Sequence, residues 1–213
     1  MDWGIILVWI LISYVALTVF FHIIFPEKHL DWQSINLDDS QFPTDFTWGV
    51  ATASHQIEGG NSNNWTQFEE REDKERSGMA CNHWNLWEKD HDLLTELGVT
   101  SYRFSIEWSR IEPSQGEWNE TAIQVYSDMI DSLIAKGIEP MITLHHFSHP
   151  IWFEEQGGFY NKENLVHFKN YCTKIFPYFC DRVTKWCTVN EPDVFAIMAV
   201  SYTHLRAHET LGN

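Results

Sequence analysis

VTKWCTVNEP (183–192) is a short apolar, β-branched run that stops at an amide, a carboxylate and a proline. Such a run reads as a strand, because β-branched and aromatic side chains pack well on a pleated surface. Pro192 cannot donate to a ladder and turns the chain off the strand direction. Asn190 and Glu191 therefore stand at the strand's C-terminal end.

Three earlier stretches end the same way. FTWGVATAS (46–54) reads as an apolar strand that runs into His55, Gln56 and Glu58; TSYRFSIEW (100–108) reads as a strand carrying Arg103 and Glu107; IEPMITLHHF (138–147) reads as a strand ending in His145-His146. Helical patterns separate them. NLWEKDHDLLTELG (85–98) puts Leu86, Leu93, Leu94 and Leu97 on one face and stops at Gly98. NETAIQVYSDMIDSLIAKG (119–137) has Asn119 as a cap and Gly137 as a stop. NKENLVHFKNYCTKIFPYFCDR (161–182) is a third helix, in which Pro177 predicts a kink or interruption.

Strands alternating with helices imply a parallel sheet with crossover helices. Near-continuous apolar strands suit a sheet buried on both faces. That pattern alone allows a doubly wound sheet or a (β/α) barrel. The polar residues discriminate. Functional groups at the C-terminal ends of successive strands are what a TIM-type barrel displays. A dinucleotide fold would need a glycine fingerprint after its first strand, and Ile57-Glu58-Gly59-Gly60 lacks it. The fold expected is therefore α/β, a TIM (β/α)8 barrel of which about the first four βα units are present.

Composition narrows the partners. The chain has 213 residues and a net charge of −16, and its densest charged run, EEREDKER (69–76), mixes both signs. No basic patch is present to neutralise phosphates, so nucleic acid is not an expected partner. Eleven Trp and fourteen Phe exceed ordinary usage, and such aromatics either fill the core or line a cleft that stacks on sugar faces. The four cysteines, Cys81, Cys172, Cys180 and Cys187, form no CxxC pair; free thiols and disulfides both remain open.

GIILVWILISYVALTVFFHIIF (4–25) carries no acidic or basic residue other than His22. It is long enough to span a bilayer as a helix. No Lys or Arg precedes it and no small-x-small cleavage site comes after it, which favours an uncleaved anchor. Lys28 leans toward a cytosolic placement of the C-terminal remainder; the acceptor triplets Asn64-Trp-Thr66 and Asn119-Glu-Thr121 lean toward the secretory lumen or the exterior. The domain plan is an anchor at 1–25, a linker at 26–41, a partial barrel at 42–200 and an atypical tail at 201–213.

Glu191 is the first chemical candidate. A glutamate in an apolar, aromatic cleft loses hydration and holds its proton more tightly, which suits a proton donor. The plainer account is a glutamate opening a surface helix, where the helix dipole favours it. Asn190 offers an amide to a sugar hydroxyl.

Taken together, FPTDFTWGVATASHQIEGG (42–60), YRFSIEWSRIEP (102–113), TLHHFSHPIWFEEQGGF (143–159) and TVNEP (188–192) closely resemble glycoside hydrolase family 1, the β-glucosidase and β-galactosidase family. The resemblance covers residues 42 to about 199 and implies a retaining β-glycosidase. It implies that Glu191 is the acid/base and that Asn190 binds the sugar 2-hydroxyl. It gives Gln56 the outer hydroxyls of the terminal sugar, His146 the 3-hydroxyl, and Arg103 a place beside the nucleophilic carboxylate. Trp108, Arg110 and Glu58 are implied as supporting structure. No cofactor is implied, and His145 and His146, on opposite faces of a strand, predict no metal site.

The chain departs from the family pattern. Where relatives often read Tyr-His-Trp-Asp-Leu-Pro, this sequence reads His145-His146-Phe147-Ser148-His149-Pro150. Phe147 can pack on a sugar face but lacks an indole donor, and Glu107 replaces a residue that is usually small and neutral. The family's nucleophile lies in a Thr-Glu-Asn-Gly motif on a seventh strand, and that motif is absent here. The expectation is thus an N-terminal half without its nucleophile, inactive by itself. SYTHLRAHETLGN (201–213) does not continue the family pattern and reads as a truncated or misassembled frame. Two other functions stay open: glycosyl transfer to a sugar or glycolipid, and a binding module that has lost a catalytic carboxylate.

Overall fold

The computed structural model describes residues 3–26, 31, 36 and 41–198. Most of the linker and the tail at 201–213 lie outside the described residues. The chain divides into two compact units, Met1–Phe46 and Thr47–Asn213.

In the first unit, α1 spans Trp3–Ile24, 22 residues with no buried side chain. At about 1.5 Å rise per residue it is roughly 33 Å long, enough to cross a bilayer's hydrocarbon core. Its length and apolarity meet the requirement for a membrane span, and that is weak evidence of one.

The second unit alternates strands and helices. β1 is Gly49–Ala51, followed by α2 (Ser54–Ile57), α3 (Asn64–Arg71) and α4 (His83–Leu97). β2 is Ser101–Ser105, followed by α5 (Trp108–Ile111) and α6 (Glu120–Ala135). β3 is Glu139–His145; α7 (Ile151–Glu155), two 3-10 turns (Gly158–Tyr160 and Lys162–Asn164) and α8 (Leu165–Phe179) lead to β4, Lys185–Val189. All pairings are parallel and the sheet order is β1-β2-β3-β4. A doubly wound sheet reverses its strand order at a switch point. This one steps to the next neighbour each time, as a barrel wall does.

Local chemistry explains the helix limits. Asn119 caps α6 by accepting from the Ala122 N–H at 3.1 Å, and Gly137 leaves it at φ +73. Asn63 and Thr66 form a reciprocal capping box on α3. Three expectations need correction. The first strand is shorter than 46–54, because Ser54 already begins α2. α8 runs through Pro177 to Phe179 without interruption; the proline sits in the last turn, where little helix remains to break. On α4, Leu93 and Leu97 are exposed, and the inward face is made by His83, Trp84, Trp87, His91 and Leu94. Leucine spacing misled there because aromatic and imidazole rings fill the core side.

The core lies between the sheet and the helices. Tyr102, Phe104, Ile142 and Leu144 from β2 and β3 meet Ile123, Met129, Ile130 and Leu133 of α6 and Tyr171, Ile175 and Phe179 of α8. Trp108 is fully buried and stacks on Tyr171 at a ring separation of 4.9 Å. Its indole N–H donates to Glu112 at 2.8 Å, so the polar edge is satisfied inside the core.

Glu58 anchors a polar network under the strand ends. It accepts from the Arg110 guanidinium at 2.8 Å and from the Tyr126 hydroxyl at 2.6 Å. Arg110 also donates to the Gly59 carbonyl and lies over the Trp84 ring at 4.1 Å. Gly59 sits at φ +77, and a Cβ there would meet the Met79 carbonyl oxygen at 2.0 Å, so no larger residue fits. Burial pushes the Glu58 carboxyl from its ordinary 4.5 up to about 7, with Glu107 adding to the push and Arg110 and Tyr126 opposing it. The folded protein then binds a proton that the unfolded chain has released, so this group withdraws stability as pH rises from about 4.5 to about 7. In urea titrations, the stability of wild type relative to Glu58→Gln is expected to fall across that interval. A relative stability that climbs with pH would show that the Arg110 pair outweighs burial.

Candidate active site

Arg103, His146, Asn190 and Glu191 come together at the C-terminal ends of β2, β3 and β4. Arg103 belongs to β2, while His146 comes directly after the last residue of β3. The Asn190 N–H donates to the His145 carbonyl at 2.9 Å, extending the β3–β4 pairing beyond His145↔Val189. Asn190 is buried, and its Oδ1 accepts from Arg103 Nη2 at 3.1 Å. That contact sets the amide orientation and leaves the Nδ2 hydrogens to donate.

Two donors or acceptors at this place are conspicuous. Arg103 Nε and His146 Nδ1 are both buried and have no hydrogen-bond partner among the described residues. Buried polar atoms in folded proteins are paired almost without exception, so such orphans mark where another group belongs. Burial, with Arg103 close by, holds the His146 imidazole below its usual titration range, and Glu191 pulls the other way. That direction favours the neutral imidazole, which suits a neutral hydroxyl.

Glu191 has φ +44, a left-handed conformation unusual for a glutamate. Pro192 opens the helical stretch 192–198, and the Phe195 N–H bonds back to the Glu191 carbonyl at 2.9 Å. A proline in the first helical position costs no hydrogen bond, which accounts for the Glu-Pro order. Glu191 is exposed. The described residues do not supply the buried, aromatic surroundings expected from the sequence; among them the carboxylate stands directly before the helical stretch.

Phe147 is the second strained residue, at φ +66. Its ring is stacked with Phe195, at 6.2 Å and 8° between planes, so the loops after β3 and β4 touch beside Glu191. The Phe147 carbonyl accepts from Asn64 Nδ2 at 3.1 Å and Trp65 Nε1 at 2.9 Å. Asn64 also exchanges bonds with the His149 backbone, through its Oδ1 at 2.8 Å and its N–H at 3.0 Å. Sequence reasoning overlooked this clamp. Asparagine pairs beside tryptophan are the signal that could have revealed it.

Gln56 lies on α2 and is exposed. Its neighbour His55 is structural, facing Glu69 at 3.2 Å and Asn63 at 3.2 Å. His145 is buried against His149, with 3.4 Å between ring nitrogens, and against Phe159 and Phe195. It packs away from His146. No group of three metal-ligating side chains occurs among the described residues. All four cysteines are free thiols.

The arrangement offers an exposed carboxylate, a neutral imidazole, an amide donor and a guanidinium at adjacent strand ends. This set can give a proton to a leaving oxygen, grip hydroxyls, and hold a second carboxylate ionised beside Arg103. The model of glycosyl hydrolase family 1 matches residues 38–207. Beta-glucosidase A of Thermotoga maritima is 39% identical over 173 residues, which cover 76% of this chain and 39% of that protein. The human cytosolic beta-glucosidase is 38% identical over 171 residues, 74% of this chain and 36% of that protein. The solved beta-glycosidase from Pyrococcus horikoshii superposes with a TM-score of 0.70 at 46% sequence identity, covering 74% of this chain and 38% of that one. The chain thus spans about two fifths of the length of these relatives. With the motifs, the sequential parallel sheet and these matches in agreement, this chain belongs to glycosyl hydrolase family 1, and its four βα units are part of that family's TIM barrel.

Proposed function

We propose that the protein hydrolyses β-glucosides or closely related β-glycosides by a retaining double displacement, with Glu191 as acid/base. The observation that carries this reading is the pair of orphaned buried atoms, Arg103 Nε and His146 Nδ1, flanking the Asn190–Glu191 strand end. A substrate hydroxyl for His146 and a carboxylate for Arg103 would satisfy both. In a retaining mechanism the two carboxyl groups stand about 5–5.5 Å apart across the glycosidic bond. Glu191 would protonate the departing oxygen and then take a proton from the attacking water. Asn190 Nδ2 would hold the 2-hydroxyl, a contact that tightens as positive charge develops on the ring. Gln56 and His146 would hold the outer hydroxyls, and Phe147 would pack on the sugar face.

Among the described residues, the other glutamates at these strand ends are committed elsewhere. Glu58 is bonded to Arg110 and Tyr126, and Glu107 to serine hydroxyls. The nucleophile is therefore assigned to sequence beyond these four units. The 213-residue chain alone is expected to release no aglycone from an aryl β-glucoside, whereas the full-length protein does. In that protein, Glu191→Gln should slow hydrolysis of an alkyl β-glucoside by about 10²-fold or more, and far less for a dinitrophenyl glucoside that needs no proton. Equal loss on both substrates, or none, would remove Glu191 from the acid/base role.

We also propose that α1 is a membrane anchor that places the catalytic unit in the secretory lumen or outside the cell. The two acceptor triplets support different outcomes. Asn119 is exposed, and its cap uses only Oδ1, so Nδ2 is available for a glycan. Both amide atoms of Asn64 are consumed by the Phe147–His149 loop. Expression in a secretory host should yield a single glycan, removed by amidase treatment and absent from Asn119→Gln and Thr121→Ala. An unmodified protein would argue for the cytosolic side.

A further inference from the structure

Two of the departures from the family pattern meet in space. Glu107, just beyond β2, is fully buried and has no Lys, Arg or His partner among the described residues. Its carboxyl oxygens are held by hydroxyls. Oε2 accepts from Ser54 Oγ at 2.9 Å and from Ser148 Oγ at 2.8 Å. Oε1 accepts from Ser109 Oγ at 2.8 Å and from the Ser109 N–H at 3.4 Å. Its partners are three serine hydroxyls and one backbone N–H.

The donors come from separate segments. Ser54 starts α2, two residues before Gln56, and is fixed a second time by Ser105, whose Oγ takes the Ser54 N–H at 2.7 Å and donates to its Oγ at 3.0 Å. Ser148 comes after His146 and Phe147 in the loop beyond β3. Ser109 belongs to α5. Glu107 itself is immobilised, because its N–H donates to the Tyr126 hydroxyl at 2.9 Å. The loop carrying Gln56 and the loop carrying His146 are thus tied to one carboxyl group, one on each side of the β2 end. The Asn64 and Trp65 bonds to the Phe147–His149 backbone hold the His146 loop as well, but Gln56 is exposed and His146 Nδ1 is unpaired among the described residues.

We infer that Glu107 is a positioning residue that sets the distance between the Gln56 and His146 loops, and through it the grip on the outer hydroxyls of the terminal sugar. The inference rests on the proposed β-glycosidase function. Its logic is geometric. The acceptor must lie where hydroxyls from both loops reach it, and a buried, directional set of hydrogen bonds keeps that spacing. A carboxylate at position 148 facing a hydroxyl at 107 would make the same tie with donor and acceptor exchanged.

Steady-state kinetics of the full-length protein test this, with 4-nitrophenyl β-glucoside and its 3-deoxy analogue as substrates. Glu107→Gln should raise KM for the parent glucoside about tenfold with kcat within about threefold. The rise should shrink to about twofold or less for the 3-deoxy substrate, which lacks the hydroxyl given to His146. The transposed double variant Glu107→Ser/Ser148→Asp should return KM to within about twofold of wild type. Ser148→Ala, which removes a single hydroxyl, should raise KM about threefold and covers the case in which Glu107→Gln fails to fold. A Glu107→Gln protein with a lowered melting temperature and unchanged KM would overturn the inference. So would an equal rise in KM on both substrates, or a transposed variant as impaired as the single one. A wild-type protein that cleaves neither glucoside overturns the glycosidase reading and this inference with it. An active wild type with an unaffected Glu107→Gln overturns the inference alone.

Discussion

The Tyr126 hydroxyl is the bond on which the arrangement of the strand ends depends. It accepts from the Glu107 N–H and donates to the Glu58 carboxyl, and it is fully buried. One atom therefore joins α6 to the end of β2 and to the loop after β1. Burial and the adjacent Glu58 hold the phenol far above its ordinary range, so it remains a neutral donor and acceptor throughout the physiological interval. Removing it would leave a buried amide and a buried carboxyl short of partners at once, and a buried polar group left unpaired costs about 1–3 kcal/mol.

Above that network the site is built from backbone positions more than from long reaching side chains. Arg103, His146, Asn190 and Glu191 sit on or just beyond adjacent strands, and parallel pairing brings them to one rim. Two of the supporting residues, Phe147 and Glu191, hold positive φ angles that non-glycine residues seldom adopt. Such strain persists only where neighbours over-determine it. Here the neighbours are identifiable: Asn64 and Trp65 grip the Phe147 carbonyl, while the Phe195 N–H and the Phe147–Phe195 stack fix the turn at Glu191.

Much of this was legible in the sequence because it derives from periodicity and strand-end chemistry. The β3, β4 and α6 limits fall close to the pattern, and the Asn119 cap and Gly137 stop are where side-chain chemistry puts them. The rest depended on tertiary partners. Whether α4 buries leucines or aromatic rings is decided by what the sheet presents, so Leu93 and Leu97 were misjudged. For Glu191, a strand end predicts where a carboxylate stands and leaves open what covers it. Glu107 looked like a simple departure at one position. Its role emerged only when Ser54, Ser109 and Ser148, distant in sequence, were found around it.

The strictly sequential order of the sheet has a bearing on synthesis. Each strand from β2 to β4 pairs with the one made immediately before it, and α6 packs on β3, the strand that comes directly after it. Within these four units, a chain leaving the ribosome from its N-terminus therefore meets its pairing strands in the order in which they emerge. Chains with such near-neighbour pairings close small loops at each step, which keeps the entropic barrier of each addition low. The residues proposed for the site are laid down in the same order, from Gln56 to Arg103 to His146 to Asn190 and Glu191. The rim is thus assembled one unit at a time during translation, with Glu191 added last among these four units.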